Sequence, residues 1–329
     1  MKKLGKALLY IVIAVLLIVV IGLSYVTLAL PNVGEAENIK VEATPQRLSR
    51  GEYLVNKVVL CVDCHSRRDF SKYAGPVLDG KLGQGGEVFD HKVNFPGNVQ
   101  VPNITPYNLS TWTDGELFRA ITTGVRKDGS AIFPLMPWPA YSRLSREDVY
   151  SIIAYIRTLK PIQATYARAT YDFPLNFIVH TMPKKATLGT IPPVTDTVKY
   201  GGYLVNAGGC IDCHTQNVKG KMVAGMEFAG GREFRVGANA IRSANITPDP
   251  ATGIGSWSAD IFVQRFKAYA DKSKATNISA NDPQTIMPWY GYSGMTESDL
   301  RAMYAYLKTT KPVNNKVVKF QANSFTASN

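Results

Sequence analysis

All four cysteines of this 329-residue chain fall in one pattern written twice: Cys61-Val62-Asp63-Cys64-His65 and Cys210-Ile211-Asp212-Cys213-His214. Two thiols three positions apart lie on one side of a helical turn, and the histidine that follows sets an imidazole beside them. C-x-x-C-H reads as an attachment site for c-type haem. Cys61, Cys64, Cys210 and Cys213 would form thioethers to the vinyl groups of two haems, and His65 and His214 would each supply an axial nitrogen. Three other chemistries use cysteine pairs. Two disulfides would suit an exported chain. A zinc site wants its pairs about 15–20 residues apart, whereas 145 residues separate Cys64 from Cys210. A redox dithiol expects a βαβ surround, which the sequence lacks. None of the three requires a histidine after both second cysteines.

A haem that only carries electrons needs a second axial ligand; one that binds substrate at iron needs an open position. Met136 lies 71 residues after His65, and Met287 lies 73 after His214, each in a Met-Pro-Trp context. The proline fixes the local turn, so a loop-borne thioether can be held toward iron. Met136 and Met287 are therefore the expected sixth ligands. Met182-Pro183 has no partner in the repeat and reads as structural. His91 and His180 also lack counterparts, and a surface or hydrogen-bonded role is expected for both.

The two patterns belong to an internal repeat of about 150 residues. Gly51-Glu52-Tyr53-Leu54-Val55-Asn56 matches Gly201-Gly202-Tyr203-Leu204-Val205-Asn206, and Gly85-Gly86 with Phe89 matches Gly230-Gly231 with Phe234. Asn103-Ile104-Thr105-Pro106 matches Asn245-Ile246-Thr247-Pro248, Trp112 matches Trp257, and Tyr141 matches Tyr292. The Asn-Ile-Thr-Pro segments could offer donors to haem propionates or form plain turns. Ser145 and Thr296, each with an acid three residues on, read as helix N-caps, as does Thr113 with Glu116. Pro161 and Pro312 would stop the last helices. Tyr53, Tyr203, Tyr155 and Tyr306 are expected where the first and last helices of each module cross. Between helices the chain is rich in Gly, Pro and Asn, with few alternating strands. The expected fold class is all-α with long loops.

Lys2, Lys3 and Lys6 precede an uncharged run from Ala7 to Leu30. As a helix that run is about 36 Å long, enough for a hydrocarbon core of about 30 Å. It is longer than a typical signal-peptide apolar region, so a retained transmembrane helix is expected. The lysines put the N-terminus in the cytoplasm and the rest in the periplasm of a bacterium. The expected organisation is an anchor at 1–34, module one at 45–161, a linker at 162–196, module two at 197–314 and a tail at 315–329. The linker has five prolines counted from Pro161, so it is semi-stiff and lies against the modules. The net charge is +12, and four propionates would lower it. This suits acidic partners or an anionic membrane surface. Without a clustered basic run, nucleic acid is excluded.

With these landmarks, both halves resemble class I c-type cytochrome domains. Their order of motifs is similar to that of the cytochrome c subunits of membrane-bound alcohol, gluconate and related dehydrogenases, over residues 45–161 and 197–312. The resemblance implies three-helix haem pockets with His65 and His214 proximal and Met136 and Met287 distal. It also implies electron transfer between a periplasmic or membrane donor, such as a dehydrogenase, and the respiratory chain or a terminal oxidase. Those subunits usually carry three haems, whereas this chain has two motifs and an N-terminal anchor. Copy two also lacks the Gly-x-x-x-Asp-Gly segment found at Gly124 to Gly129. The expected function is a membrane-tethered dihaem electron carrier, not an enzyme. The rivals are a dihaem peroxidase, which needs an open iron, and a structural subunit that lends its haems to a complex.

Overall fold

The computed structural model describes residues 2–279 and 281–325. Helix α1 (Lys2–Leu28) projects from the body with its apolar residues exposed. It is long and apolar enough to cross a membrane. Module one contains α2 (Pro45–Tyr53), α3 (Cys61–Cys64), α4 (Pro106–Leu109), α5 (Asp114–Thr123), α6 (Trp138–Tyr141) and α7 (Arg146–Ile156). A short α8 (Leu175–Ile178) follows, then α9 (Thr197–Ala207), α10 (Cys210–Cys213), α11 (Ala259–Lys267), α12 (Trp289–Tyr292) and α13 (Glu297–Leu307) in module two.

Helix starts follow from side-chain oxygens that accept orphan backbone N–H groups. Thr113 and Glu116 form a complete capping box on α5. Ser145 accepts from Asp148 N on α7, and Thr296 accepts from Asp299 N on α13. The last helices end at Ile156 and Leu307, a few residues short of Pro161 and Pro312.

In each module the first and last helices cross with their backbones touching. An added Cβ at Gly51 would lie 1.9 Å from the Ser151 carbonyl oxygen, and one at Gly201 would lie 1.8 Å from that of Ala302. Around these crossings Leu54, Val149, Ile152 and Ile153 pack in one module and Leu204, Leu300, Met303 and Leu307 in the other. All belong to one continuous core that runs through both modules.

The all-α expectation needs correction. Three small antiparallel sheets are present: β1 (Val88–Phe89), β2 (Gly97–Gln100) and β3 (Thr170–Tyr171); β4 (Asn217–Val218) and β5 (Lys221–Met222); β6 (Glu233–Val236), β7 (Asn239–Arg242) and β8 (Phe320–Gln321). The glycine-rich loops between the cysteine turn and the Asn-Ile-Thr-Pro segment fold back on themselves and pair. Gly237 at φ +59° turns β6 into β7. The third strand comes from the linker in one case and from the tail in the other. The linker thus lies on module one: Asn103 Nδ2 donates to the carbonyls of Ile162 and Ala164, and Gly189 N donates to that of Arg143.

Gly51→Ala and Gly201→Ala are each expected to destabilise the folded protein by about 1–3 kcal/mol, because an added methyl group must push the crossing helix backbones apart. Denaturant unfolding followed by circular dichroism measures this; unchanged midpoints would mean the crossings are looser than described.

Candidate functional site

The residue before each first cysteine takes the left-handed conformation, which turns the chain sharply into the cysteine turn. In module two it is Gly209 at φ +62°, where glycine carries no Cβ penalty. In module one it is Leu60 at φ +57°. Module one also has one more residue between the shared Gly-x-Tyr-Leu-Val-Asn segment and its first cysteine. The structure absorbs it as a π-helical turn over Leu54–Val58, the usual home of a single inserted residue. Leu60 is only 5% exposed because it reaches into module two, where a Cβ on Gly291 would lie 2.5 Å from its Cδ2.

Each cysteine turn hands over directly to its histidine. His65 Nδ1 lies 2.8 Å from the Pro102 carbonyl oxygen, and His214 Nδ1 lies 2.8 Å from that of Ala244. A carbonyl only accepts, so Nδ1 carries the proton and Nε2 keeps its lone pair. Burial lowers both imidazole pKa values, opposed by these carbonyls. Both rings are neutral at pH 7, which is the ligating form. The Gly-Gly landmarks bring these carbonyls into place. Gly85 N donates to the His65 carbonyl and Gly230 N to that of His214, at 2.8 and 2.7 Å. A Cβ on Gly85 would meet the Val101 carbonyl oxygen at 2.4 Å. The Asn-Ile-Thr-Pro segments are turns. Asn103 Oδ1 accepts from the backbone and hydroxyl of Thr105, and Asn245 does the same with Thr247.

The four thiols are free. Cys64 and Cys213 present some of their surface to solvent, but enough protein surrounds every sulfur to disfavour a thiolate. Burial pushes the thiols of Cys61, Cys64 and Cys210 up to about 12. Among the described residues no group of three or more His, Cys, Asp and Glu is gathered as for a metal ion. The arrangement suits a group that can bond covalently to two neighbouring thiols and accept an Nε2 lone pair as ligand, as haem c does. Cys61, Met136 and Trp112, with their counterparts Cys210, Met287 and Trp257, all pack half-buried against the common core. Trp138 N bonds to the Met136 carbonyl and Trp289 N to that of Met287, so each methionine sits on a tight turn. His91 bonds to Asp172 at the surface, and His180 Nδ1 lies 3.4 Å from the Leu30 carbonyl oxygen.

Several site residues had no role assigned from sequence. Asp63 inside the first cysteine turn pairs with Arg68 at 2.9 Å, and Arg68 also donates to the carbonyls of Ala74 and Gly75. In module two Arg232 takes this place, bonded to the Asp212 carbonyl. Tyr141 and Tyr292, seen in the repeat only as matching landmarks, are buried between the two cysteine turns. The Tyr141 hydroxyl is pushed far up by burial, with the cysteines of both modules adding to the effect. Tyr292 behaves alike, its hydroxyl 2.8 Å from the Gly208 carbonyl oxygen. Both cysteine turns therefore face one seam.

Tyr53 and Tyr203 correct an expectation. They do not mark the helix crossing within a module; each reaches into the other one. Tyr53 Oη donates to Asp299 at 2.6 Å and accepts from Thr296 N. Tyr203 Oη donates to Asp148 at 2.6 Å and accepts from Ser145 N. Buried Asp148 also takes a bidentate pair from Arg50 at 2.8 and 2.9 Å. Tyr155 and Tyr306 do sit at the crossings, against Gly51 and Gly202.

The family model for cytochrome c matches residues 198–311, nearly all of module two. Over 290 residues the chain is 28% identical to the cytochrome c subunit of a quinone alcohol dehydrogenase from Gluconacetobacter polyoxogenes, covering 83% of this chain and 58% of the relative. It is 29% identical to the fructose dehydrogenase cytochrome subunit of Gluconobacter japonicus, covering 80% of this chain and 52% of the relative. It is 28% identical to a dihaem c-type cytochrome of Cereibacter sphaeroides, covering 75% and 81%. The chain thus spans little more than half the length of the two dehydrogenase subunits. The first two are named as cytochrome subunits of dehydrogenases, similar in kind to those that the motif order pointed to.

Tyr53→Phe and Tyr203→Phe each leave a buried carboxylate short of a donor, so each is expected to cost about 1–3 kcal/mol. Combined, they are expected to lower the thermal midpoint more than either alone and to spread one transition over two. A double variant that melts like the parent would show that the reciprocal pairs do not join the modules.

Proposed function

We propose that this chain is a membrane-tethered electron carrier with two haems c, one on each module. The observation that carries this reading is the repeated engagement of Nδ1 by a backbone carbonyl, directly after a pair of free cysteines, in both halves of the chain. The second copy lies within the matched cytochrome c domain, and one relative is named as dihaem. Bound haem supplies a one-electron Fe(III)/Fe(II) couple. Each thiol would add across a vinyl double bond, sulfur to one carbon and hydrogen to the other, so attachment consumes no oxidant. His65 and His214 would ligate through Nε2, and the Pro102 and Ala244 carbonyls would hold each ring in one orientation and raise its basicity. Met136 and Met287 would close the opposite faces, which favours reduced iron and keeps substrates off the metal.

Helix α1 would anchor the carrier, with Lys2, Lys3 and Lys6 on the cytoplasmic side and both modules in the periplasm. Tethering keeps the carrier at high effective concentration near membrane partners. The relatives' names favour the catalytic subunit of a membrane dehydrogenase as donor, with the respiratory chain or a terminal oxidase as acceptor and acidic docking surfaces on either. Electrons would cross between modules at the Tyr141–Tyr292 seam, toward which both cysteine turns face.

Met136→Ala and Met287→Ala are each expected to lower the midpoint potential of one haem by on the order of 100 mV, a fraction of the roughly 0.8 V that axial ligands span. Each should also make that iron bind cyanide. Spectroelectrochemical titration reads the potentials, and an unchanged value would move the ligand role to another sulfur.

A further inference from the structure

The end of α1 does not leave the body as a free stalk. It contacts the turn that contains α8 and the 179–181 segment after it. Val26 and Leu30 are partly covered there, while the helix before them is exposed. His180 Nδ1 meets the Leu30 carbonyl at the same place. If the apolar run from Ala7 to Leu30 fills the hydrocarbon core, residues 28–31 lie at the outer headgroup boundary. The turn they touch must lie at that depth too.

The chemistry of the turn matches that position. Phe173 is 81% exposed and Ile178 is 45% exposed, although both are large and apolar. Phe173 stacks edge-on with Phe177, their ring centroids 6.3 Å apart. Lys184 and Lys185 follow within one or two turns of chain and are exposed. Aromatic and aliphatic side chains beside lysines suit an interface in which acyl chains meet anionic headgroups. The turn is also firmly mounted. β3 pairs with β2 immediately before it, and a Cβ on Gly97 would lie 2.3 Å from the Thr170 carbonyl oxygen. Tyr171 packs beneath on Phe95 and Phe133.

We propose that residues 173–185 form a second membrane contact: Phe173 and Ile178 enter the outer leaflet beside α1, and Lys184 and Lys185 meet anionic headgroups. This rests on the anchor reading of α1 and goes further. A single helix tethers a body without orienting it; two contacts fixed to module one set its orientation to the bilayer.

The test uses the full haem-loaded chain in nanodiscs of phosphatidylethanolamine and phosphatidylglycerol. A fraction of the lipid carries a diazirine on the acyl chain near the glycerol. After irradiation and tryptic digestion, mass spectrometry locates lipid adducts. Adducts are expected both on α1 peptides and on the 169–184 peptide. The variant Phe173→Asp with Ile178→Asp should lose the second set, keep the first and keep the parent absorption spectrum. Adducts on α1 with an unmodified 169–184 peptide would overturn the second contact and leave the anchor standing. An absence of adducts on α1 would remove the anchor and this inference together.

Discussion

A backbone carbonyl 2.8 Å from Nδ1 fixes each candidate ligand histidine, and much of each module serves to bring that carbonyl there. An imidazole tied to the chain only through its Cβ could turn and present either nitrogen. The carbonyl selects the tautomer and orients the ring before any iron arrives. The Gly-Gly pair lets the segment carrying Pro102 or Ala244 approach the histidine backbone. The Asn-Ile-Thr-Pro turn then locks that segment through Asn103 and Asn245. The same asparagines donate to the chain that follows the last helix, at Ile162 and Val313. One side chain thus couples the ligand loop to the chain that closes the module.

The two modules share this plan but not its details. The extra residue of module one becomes a π-turn, and Leu60 carries the left-handed position that Gly209 fills in module two. A non-glycine residue there costs about 1–2 kcal/mol, and burial of Leu60 against Gly291 offsets it. Likewise Arg50 pairs with Asp148, whereas Tyr200 stands at the matching position of module two. The seam is therefore a pseudo-two-fold contact with unequal sides. Two haems held on it would sit in different electrostatic surroundings, which gives a physical basis for different potentials within one carrier.

Much of this was legible in the sequence because the signals are local. The caps at Thr113, Ser145 and Thr296 needed only a hydroxyl three residues before a backbone N–H. The small sheets escaped because two-residue strands built on glycine turns show no alternation. The pinning carbonyls escaped because backbone atoms leave no side-chain signature. Tyr53 and Tyr203 were visible as equivalent landmarks, but a repeat cannot say which module a side chain reaches. The π-turn was legible in principle: nine residues lie between Gly51 and Cys61 and eight between Gly201 and Cys210.

The intact mass of the purified chain, made in a host that matures c-type cytochromes, tests the central claim most directly. Covalent attachment at both cysteine pairs predicts the polypeptide mass plus two haems, surviving acid and organic solvent. A colourless protein with the mass of the bare chain would contradict the account at its root.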